Sequence, residues 1–285
     1  MKHLARQAIA KTVATYIIEV MIFSRAACLT FCIWTTTAPA LHAASSDWYR
    51  VEGGAIRIIE STVPTEDGRR RAALEIRLDP GWKTYWQDPG SSGVPPVVSA
   101  IQDGGVAPAT LNFPTPRWFA DEYGNWAGYD HDVTMALTLE PPSRPTGEPT
   151  KLNVFLGICE AICIPVQVEL LLDKGLNQAV AENEQIISAA FDALPAPATP
   201  AMHLRIEDVD KSELVAEAIV PAGTTVTEIF VAGNGRVTFD TPTLRAGANL
   251  PTFTSRIRGV INSGDVFDYI LVTTEGAVRG QLQIP

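Results

Sequence analysis

Cysteine, histidine and basic charge are all scarce in this chain, and each shortage narrows what it can do. Four cysteines and four histidines occur in 285 residues. Two cysteines, Cys28 and Cys32, and two histidines, His3 and His42, fall in a leader-like segment. The mature chain is therefore expected to keep only Cys159, Cys163, His131 and His203. Two thiolates could attract a soft metal, but zinc needs two further ligands. His131, His203, Met135 and Met202 show no ligand spacing to the cysteines, so no metal is expected. No C-x-x-C-H occurs, which excludes covalent haem, and no nucleotide-binding fingerprint is present. No cofactor is expected. With 22 Lys and Arg against 32 Asp and Glu, the formal charge is −10. An acidic surface argues against nucleic acid and anionic membrane as partners. Long helical periodicity is nearly absent, and only the leader carries a sizeable unbroken apolar run.

That leader has export character. Arg25 precedes the apolar run 26–37 (AACLTFCIWTTT), and small residues follow at Ala38-Pro39-Ala40-Leu41-His42-Ala43-Ala44. Charged start, short apolar core and small-residue exit describe a secretory signal. The apolar core is about half of the roughly 20 residues that span a bilayer, so a cleaved signal is expected rather than an anchor. Cleavage is placed after Ala43 or Ala44, and Met21 would give a cleaner start. The segment carries Lys2, Arg6, Lys11 and Arg25 against Glu19, a net of +3, so its removal takes the formal charge from −10 to −13. The expected location is periplasmic, with no stable membrane insertion afterwards, in a compartment where disulfides persist.

What the chain does have is short alternating runs. Ala55–Glu60, Ala73–Leu78, Val133–Leu139, Leu152–Ile158 and Ile164–Leu172 alternate or run apolar between Gly, Pro, Asp and Ser clusters. This is the pattern of antiparallel strands. It predicts an all-β immunoglobulin-like sandwich over residues 45–175. One helix is expected where Leu176, Val180, Ile187, Phe191 and Leu194 share a stripe. Pro195-Ala196-Pro197-Ala198-Thr199-Pro200 follows as a stiff linker, so 176–200 is read as helix and linker. Residues 201–285 hold a second set of runs, with Gly233-Asn234-Gly235 as a turn. They are expected to form a second, smaller β-sandwich with a structural or partner-docking role.

The two remaining cysteines bracket three residues, Cys159-Glu160-Ala161-Ile162-Cys163. In one straight strand their Cα atoms would lie about 13 Å apart, too far for the roughly 4.4–6.8 Å of a disulfide. Strand-like runs on both sides predict a hairpin with Glu160-Ala161-Ile162 at its tip. A bridge that closes so small a loop contributes only about 2 kcal/mol by chain entropy. A structural staple and a redox pair both remain open on spacing alone. Glu160 beside Cys159 disfavours a thiolate, and no Lys, Arg or His adjoins the pair in sequence, as reactive thiols usually require.

Two stretches are dense in aromatics. Gly81-Trp82-Lys83-Thr84-Tyr85-Trp86 leads into Gln87-Asp88-Pro89-Gly90, with Trp82 and Trp86 expected in the core. The second stretch, 113–129, is flanked by Gly and Pro and is expected to be a loop. An aromatic ring over the sulfurs would protect a dithiol until a partner displaced it, with Tyr123 the first candidate and Trp126 the second.

Together these segments resemble the periplasmic N-terminal domain of the thiol:disulfide interchange protein DsbD, and more closely the N-terminal region of ScsB-like relatives. The resemblance covers roughly residues 47–173. It is carried by Trp82-Lys83-Thr84-Tyr85-Trp86, by Pro89-Gly90, Gly93 and Pro95-Pro96, by Pro114 and Pro116, by Gly128-Tyr129, and by Cys159-x3-Cys163-Ile164-Pro165. It implies that Cys159 and Cys163 are a redox pair, fed by a membrane-embedded electron-donor protein and serving periplasmic thioredoxin-like proteins. It also implies that Asp121-Glu122-Tyr123-Gly124 is a cap loop, with Trp126 and Tyr129 around it, and it leans towards Cys163 as the attacking thiol. Family members continue into a multi-span membrane domain and a thioredoxin-like domain. Neither occurs in these 285 residues, so separate proteins are expected to supply electrons. The alternative is a non-catalytic module with a structural disulfide that grips a peptide or glycan through its aromatic loops. If the pair relays electrons without being a strong oxidant, titrating the reduced protein with a thiol alkylator should give an apparent pKa at or above about 7.

Overall fold

The computed structural model describes residues 44–90, 93–102, 105–122, 124–141, 150–172 and 180–285. The expected leader through Ala43, Leu176 of the helix stripe and Tyr123 lie outside the described residues. In chain order the first strands are β1 (Ala44–Ser45), β2 (Tyr49–Val51), β3 (Gly54–Pro64), β4 (Arg70–Leu78), β5 (Thr84–Tyr85) and β6 (Val97–Gln102). Next come β7 (Gly105–Asn112), β8 (Arg117–Asp121), β9 (Gly124–Tyr129), β10 (Val133–Leu139), β11 (Thr150–Cys159) and β12 (Cys163–Leu172). Helix α1 (Val180–Asp192) precedes β13 (Ala196–Pro197), β14 (His203–Val209), β15 (Glu213–Ile219), β16 (Val226–Val231) and β17 (Thr238–Phe239). The last four are β18 (Thr243–Leu244), β19 (Thr252–Arg258), β20 (Val266–Thr273) and β21 (Gly276–Gln283).

The fold is mostly β, an immunoglobulin-like sandwich followed by a smaller pair of sheets. Its first part is built on period-two alternation. The large sheet runs β1-β3-β4-β10-β7-β6-β11-β12, with β2 on β3. It curls so that β12 approaches β3 and β1. One face of each strand fills the enclosed core: Ile56 and Ile58, Leu74 and Ile76, Met135 and Leu137, and Leu152, Val154, Leu156 and Ile158. The opposite face of β3, β4 and β10 presents Ile59, Ala73 and Ala136, small enough at two positions to seat α1 through Ile187 and Ala190. The Glu184 carboxylate clamps the helix by accepting from the Thr62 N–H at 2.7 Å and from the Ser61 and Thr62 hydroxyls.

The later strands form two facing sheets, β13-β21-β20-β16 and β14-β15-β19-β17. Leu204, Leu214, Ile229, Val231, Phe267 and Leu271 lie in the core between them. The turn 233–235 is held by Asn234, whose Oδ1 accepts the N–H groups of Arg236 and Val237 at 3.1 Å. Strand β13 lies in the proline stretch and pairs parallel with β21. Alternation also joins the two parts. Phe230, Ala232 and Ile270 point away from the second core and are buried in the first, and all described residues belong to one compact unit.

The stretch 113–129 is not a loop. Within it β8 and β9 form a hairpin that pairs Phe119 with Trp126 and turns at Gly124, whose φ is 119°. Glycines and few branched residues hide this strand pair in the sequence, and stacked cross-strand aromatics make up the stabilisation.

Because the closed loop is short, reducing the disulfide should cost about 2 kcal/mol. Emptying the core at the fully buried Leu156 by Leu156→Ala should cost about 2–5 kcal/mol. Urea denaturation of the oxidised, reduced and variant proteins checks this order.

Candidate functional site

Strands β11 and β12 pair through ten residue pairs, ending at Cys159 opposite Cys163. The Glu160 N–H donates to the Ile162 carbonyl at 3.2 Å and closes the turn. The chain reverses where the sequence predicts, and the cysteine Cα atoms stand 4.1 Å apart in a disulfide. The two sulfurs differ in surroundings. Cys159 is 1% exposed, whereas Cys163 opens to solvent.

A small sheet, β5-β9-β8, covers Cys159. Its attachment to the main sheet is narrow. The Lys83 N–H donates to the Cys159 carbonyl at 2.8 Å, and the Cys159 N–H donates back at 2.9 Å. The buried Thr84 hydroxyl adds a bond to the Gly157 carbonyl at 2.9 Å. At Gly128 a Cβ would overlap the Thr84 carbonyl, so the close pairing of β5 with β9 requires glycine there.

Tyr85, Trp126 and Cys159 form one small buried cluster, with Phe119 packed against it. Phe119 stacks on Trp126 at 4.2 Å between ring centres, and Trp126 meets Tyr85 edge-on at 5.7 Å. The Tyr85 hydroxyl lies 3.3 Å from Cys163 Sγ. Lys83 Nζ is 2.5 Å from Asp121 Oδ2 and 4.6 Å from the centre of the Trp126 ring. Lys83, Tyr85, Asp121 and Trp126, with Glu160 and Ala161, line a cavity of about 250 Å³ beside Cys163. A larger cavity of about 530 Å³ lies between β7, β20 and β21, lined by Trp86, Phe113 and Arg279 among others, with no thiol among the described residues of its wall.

Burial, and secondarily the charge of Asp121, pushes the Tyr85 phenol up to about 12. The hydroxyl therefore keeps its proton through the pH range of thiol chemistry and can donate to a Cys163 thiolate. Among the described residues Lys83 is the only cation in this cavity wall, but Asp121 and the Trp126 face engage it. Among the described residues no group of three or more His, Cys, Asp or Glu is arranged to hold a metal.

Of the residues expected around the sulfurs, Asp121 and Trp126 are in the cavity wall. Glu122 is exposed beside Asp121 in the β8–β9 turn. Tyr123 lies outside the described residues. Tyr129 packs in the large core, and its hydroxyl donates to the Pro114 carbonyl at 2.8 Å. The sequence reading missed Lys83 and Tyr85, which sit far from the cysteines in the chain. The signal for Tyr85 was its neighbour: with Trp86 in the core, alternation turns Tyr85 the other way.

Comparison with known proteins bears on the family and the fold. Residues 58–174 match the family described as thiol:disulfide interchange protein DsbD, N-terminal. The crystal structure of the N-terminal periplasmic domain of ScsB from Proteus mirabilis superposes with a TM-score of 0.70 at 20% identity, over 85% of this chain and 98% of that one. This likeness shows a shared fold. The reduced N-terminal domain of DsbD from Neisseria meningitidis is 14% identical over 47% of this chain and 87% of that one, with a TM-score of 0.27 that carries no weight. No curated protein matches.

Loss of the phenol should be felt at the sulfur. Tyr85→Phe is expected to raise the apparent pKa of Cys163 in the reduced protein by about half to one unit, as the donor to the thiolate disappears. Following Cys163 alkylation across pH by peptide mass spectrometry reads the shift.

Proposed function

Because residues 58–174 match the DsbD N-terminal family, we propose that this protein exchanges disulfides with protein partners through Cys159 and Cys163. The observation that carries this reading is the asymmetry of the pair: one sulfur exposed, the other buried under aromatic rings. Exchange proceeds by attack of a thiolate on a disulfide sulfur through a mixed disulfide. An incoming thiolate has access to Cys163 and not to Cys159.

The cycle follows from that access. To recharge the oxidised protein, a donor dithiol attacks Cys163 Sγ. The Cys159–Cys163 bond breaks, and its electron pair leaves on Cys159, which takes a proton. The donor's second thiol loses its proton and attacks its own sulfur in the mixed disulfide, releasing Cys163. The donor ends as a disulfide, and two electrons and two protons have moved to this protein. To discharge, the Cys163 thiolate attacks a partner disulfide and the displaced partner thiolate takes a proton. Cys159 then loses its proton, attacks Cys163 Sγ and frees the partner's second thiol. Tyr85 donates to Cys163 whenever that sulfur is anionic, and the exposed position of Cys163 admits the partner.

In this reading the protein works in the periplasm, receives electrons from a membrane-embedded donor and passes them to thioredoxin-like proteins. The family match and the fold shared with a periplasmic domain support this placement. No helix among the described residues is long and apolar enough to cross a membrane. The Asp121–Gly124 turn, joined to the cavity through Asp121, takes the role of a cap, with Trp126 behind it.

Cys159→Ala should accumulate mixed disulfides through Cys163 in cells, because nothing resolves them, and Cys163→Ala should accumulate none. Capture under acid quench followed by mass spectrometry checks this and names the partner. Absence of adducts from both variants, together with a reduction potential below about −300 mV, would instead mark a structural bridge in a binding module.

A further inference from the structure

Two strands of the small sheet each carry a pair of adjacent aromatic rings, Tyr85-Trp86 at β5 and Trp118-Phe119 on β8. Neighbours in extended chain point to opposite sides, and here the two sides have different destinations. Tyr85 reaches Cys163, and Phe119 stacks on Trp126 over Cys159. Trp86 and Trp118 go the other way and converge on one residue, Phe230 of the second β block. Trp118 stacks on the Phe230 ring at 5.2 Å with 10° between planes, and Trp86 meets it edge-on at 5.6 Å. Phe230 is fully buried. Polar bonds fix the same junction: Trp118 Nε1–H donates to the Ile229 carbonyl at 3.0 Å, and the Gly233 N–H donates to the Asp88 carboxylate at 2.6 Å.

We propose that Phe230 is a positioning residue for disulfide exchange, and that one function of the second β block is to set, through Phe230, where the Tyr85 hydroxyl and the Phe119–Trp126 stack sit against the sulfur pair. The inference rests on the exchange reading of Cys159 and Cys163. Close-packed interiors transmit displacement rather than absorb it, and a donor bond to a thiolate is sensitive to small shifts in position. Removing half of the Phe230 contact frees Trp86 and Trp118 to repack. Tyr85 and Phe119, fixed to them through the backbone, move with them.

The test uses the reduced full chain and iodoacetamide, whose carbon is attacked by the Cys163 thiolate with loss of iodide. Phe230→Leu is expected to slow alkylation of Cys163 near neutral pH by about three- to tenfold, with the pH midpoint displaced upward. In a Tyr85→Phe background the same substitution should add little, because both changes remove one donor bond; a double-mutant cycle measures this. Phe267→Leu is the control. Phe267 is equally buried but lies in the second core against Phe239, and the variant should leave the profile within about twofold of wild type. If Phe230→Leu does not fold, Trp118→Phe keeps a ring on Phe230 and loses the indole bond, and should give a smaller shift of the same sign. An unchanged profile in folded Phe230→Leu, an equal shift in Phe267→Leu, or full additivity with Tyr85→Phe overturns the proposal. If mixed disulfides still form at Cys163 in that case, the exchange reading stands without it. If the profile moves as expected but Cys159→Ala traps no partner, the exchange reading fails and Phe230 positions the site for no exchange.

Discussion

Two backbone hydrogen bonds between Lys83 and Cys159 hold the candidate site together. They are a single antiparallel bridge, the narrowest kind of sheet contact, yet they join the small β5-β9-β8 sheet to the end of β11 in the large one. This joint ties the groups that surround the sulfurs to the strand that carries Cys159. Tyr85 follows Lys83 by two residues, Asp121 is reached by the Lys83 side chain, and Trp126 lies on the strand beside Tyr85. Because the bonds are made by main chain, they constrain the position of the side chains without specifying their chemistry. The Thr84 hydroxyl supplements the joint from a side chain that is itself buried.

The charges at the site balance one another. An ammonium near a thiol ordinarily favours its thiolate, but Lys83 contacts a carboxylate and an aromatic face. Asp121 in turn raises the cost of ionising Tyr85. The polar group left to address the exposed sulfur is a neutral phenol, which donates weakly compared with a cation. In the exchange proposed above, such an environment would suit a carrier that accepts and releases electrons with similar ease, rather than one that holds either state strongly.

The sequence makes the hairpin legible because two facts combine: sulfurs bracketing three residues cannot bond along a straight strand, and strand-like runs flank them on both sides. Strands β3, β4, β10, β11 and β12 are legible because one face of each is apolar. The β8–β9 hairpin was not, since Gly124, Asn125, Ala127 and Gly128 have low strand propensity and the pair is held by ring stacking, a property of two segments together. Lys83 and Tyr85 were hidden for a related reason. They lie more than seventy residues before the cysteines, and a one-bridge contact leaves no periodic trace. The convergence of Trp86 and Trp118 on Phe230 depends on residues from three distant strands, and no local pattern marks it.

The ring closed by Cys159 and Cys163 is small. Opening that ring leaves the long-range path of the chain unaltered, since the strands on either side stay paired through their own ladder. Both forms therefore share nearly the same folded architecture, and switching between them asks for no refolding. In the exchange proposed above, the protein would resemble a capacitor more than a latch, filled and emptied repeatedly while its frame stays still.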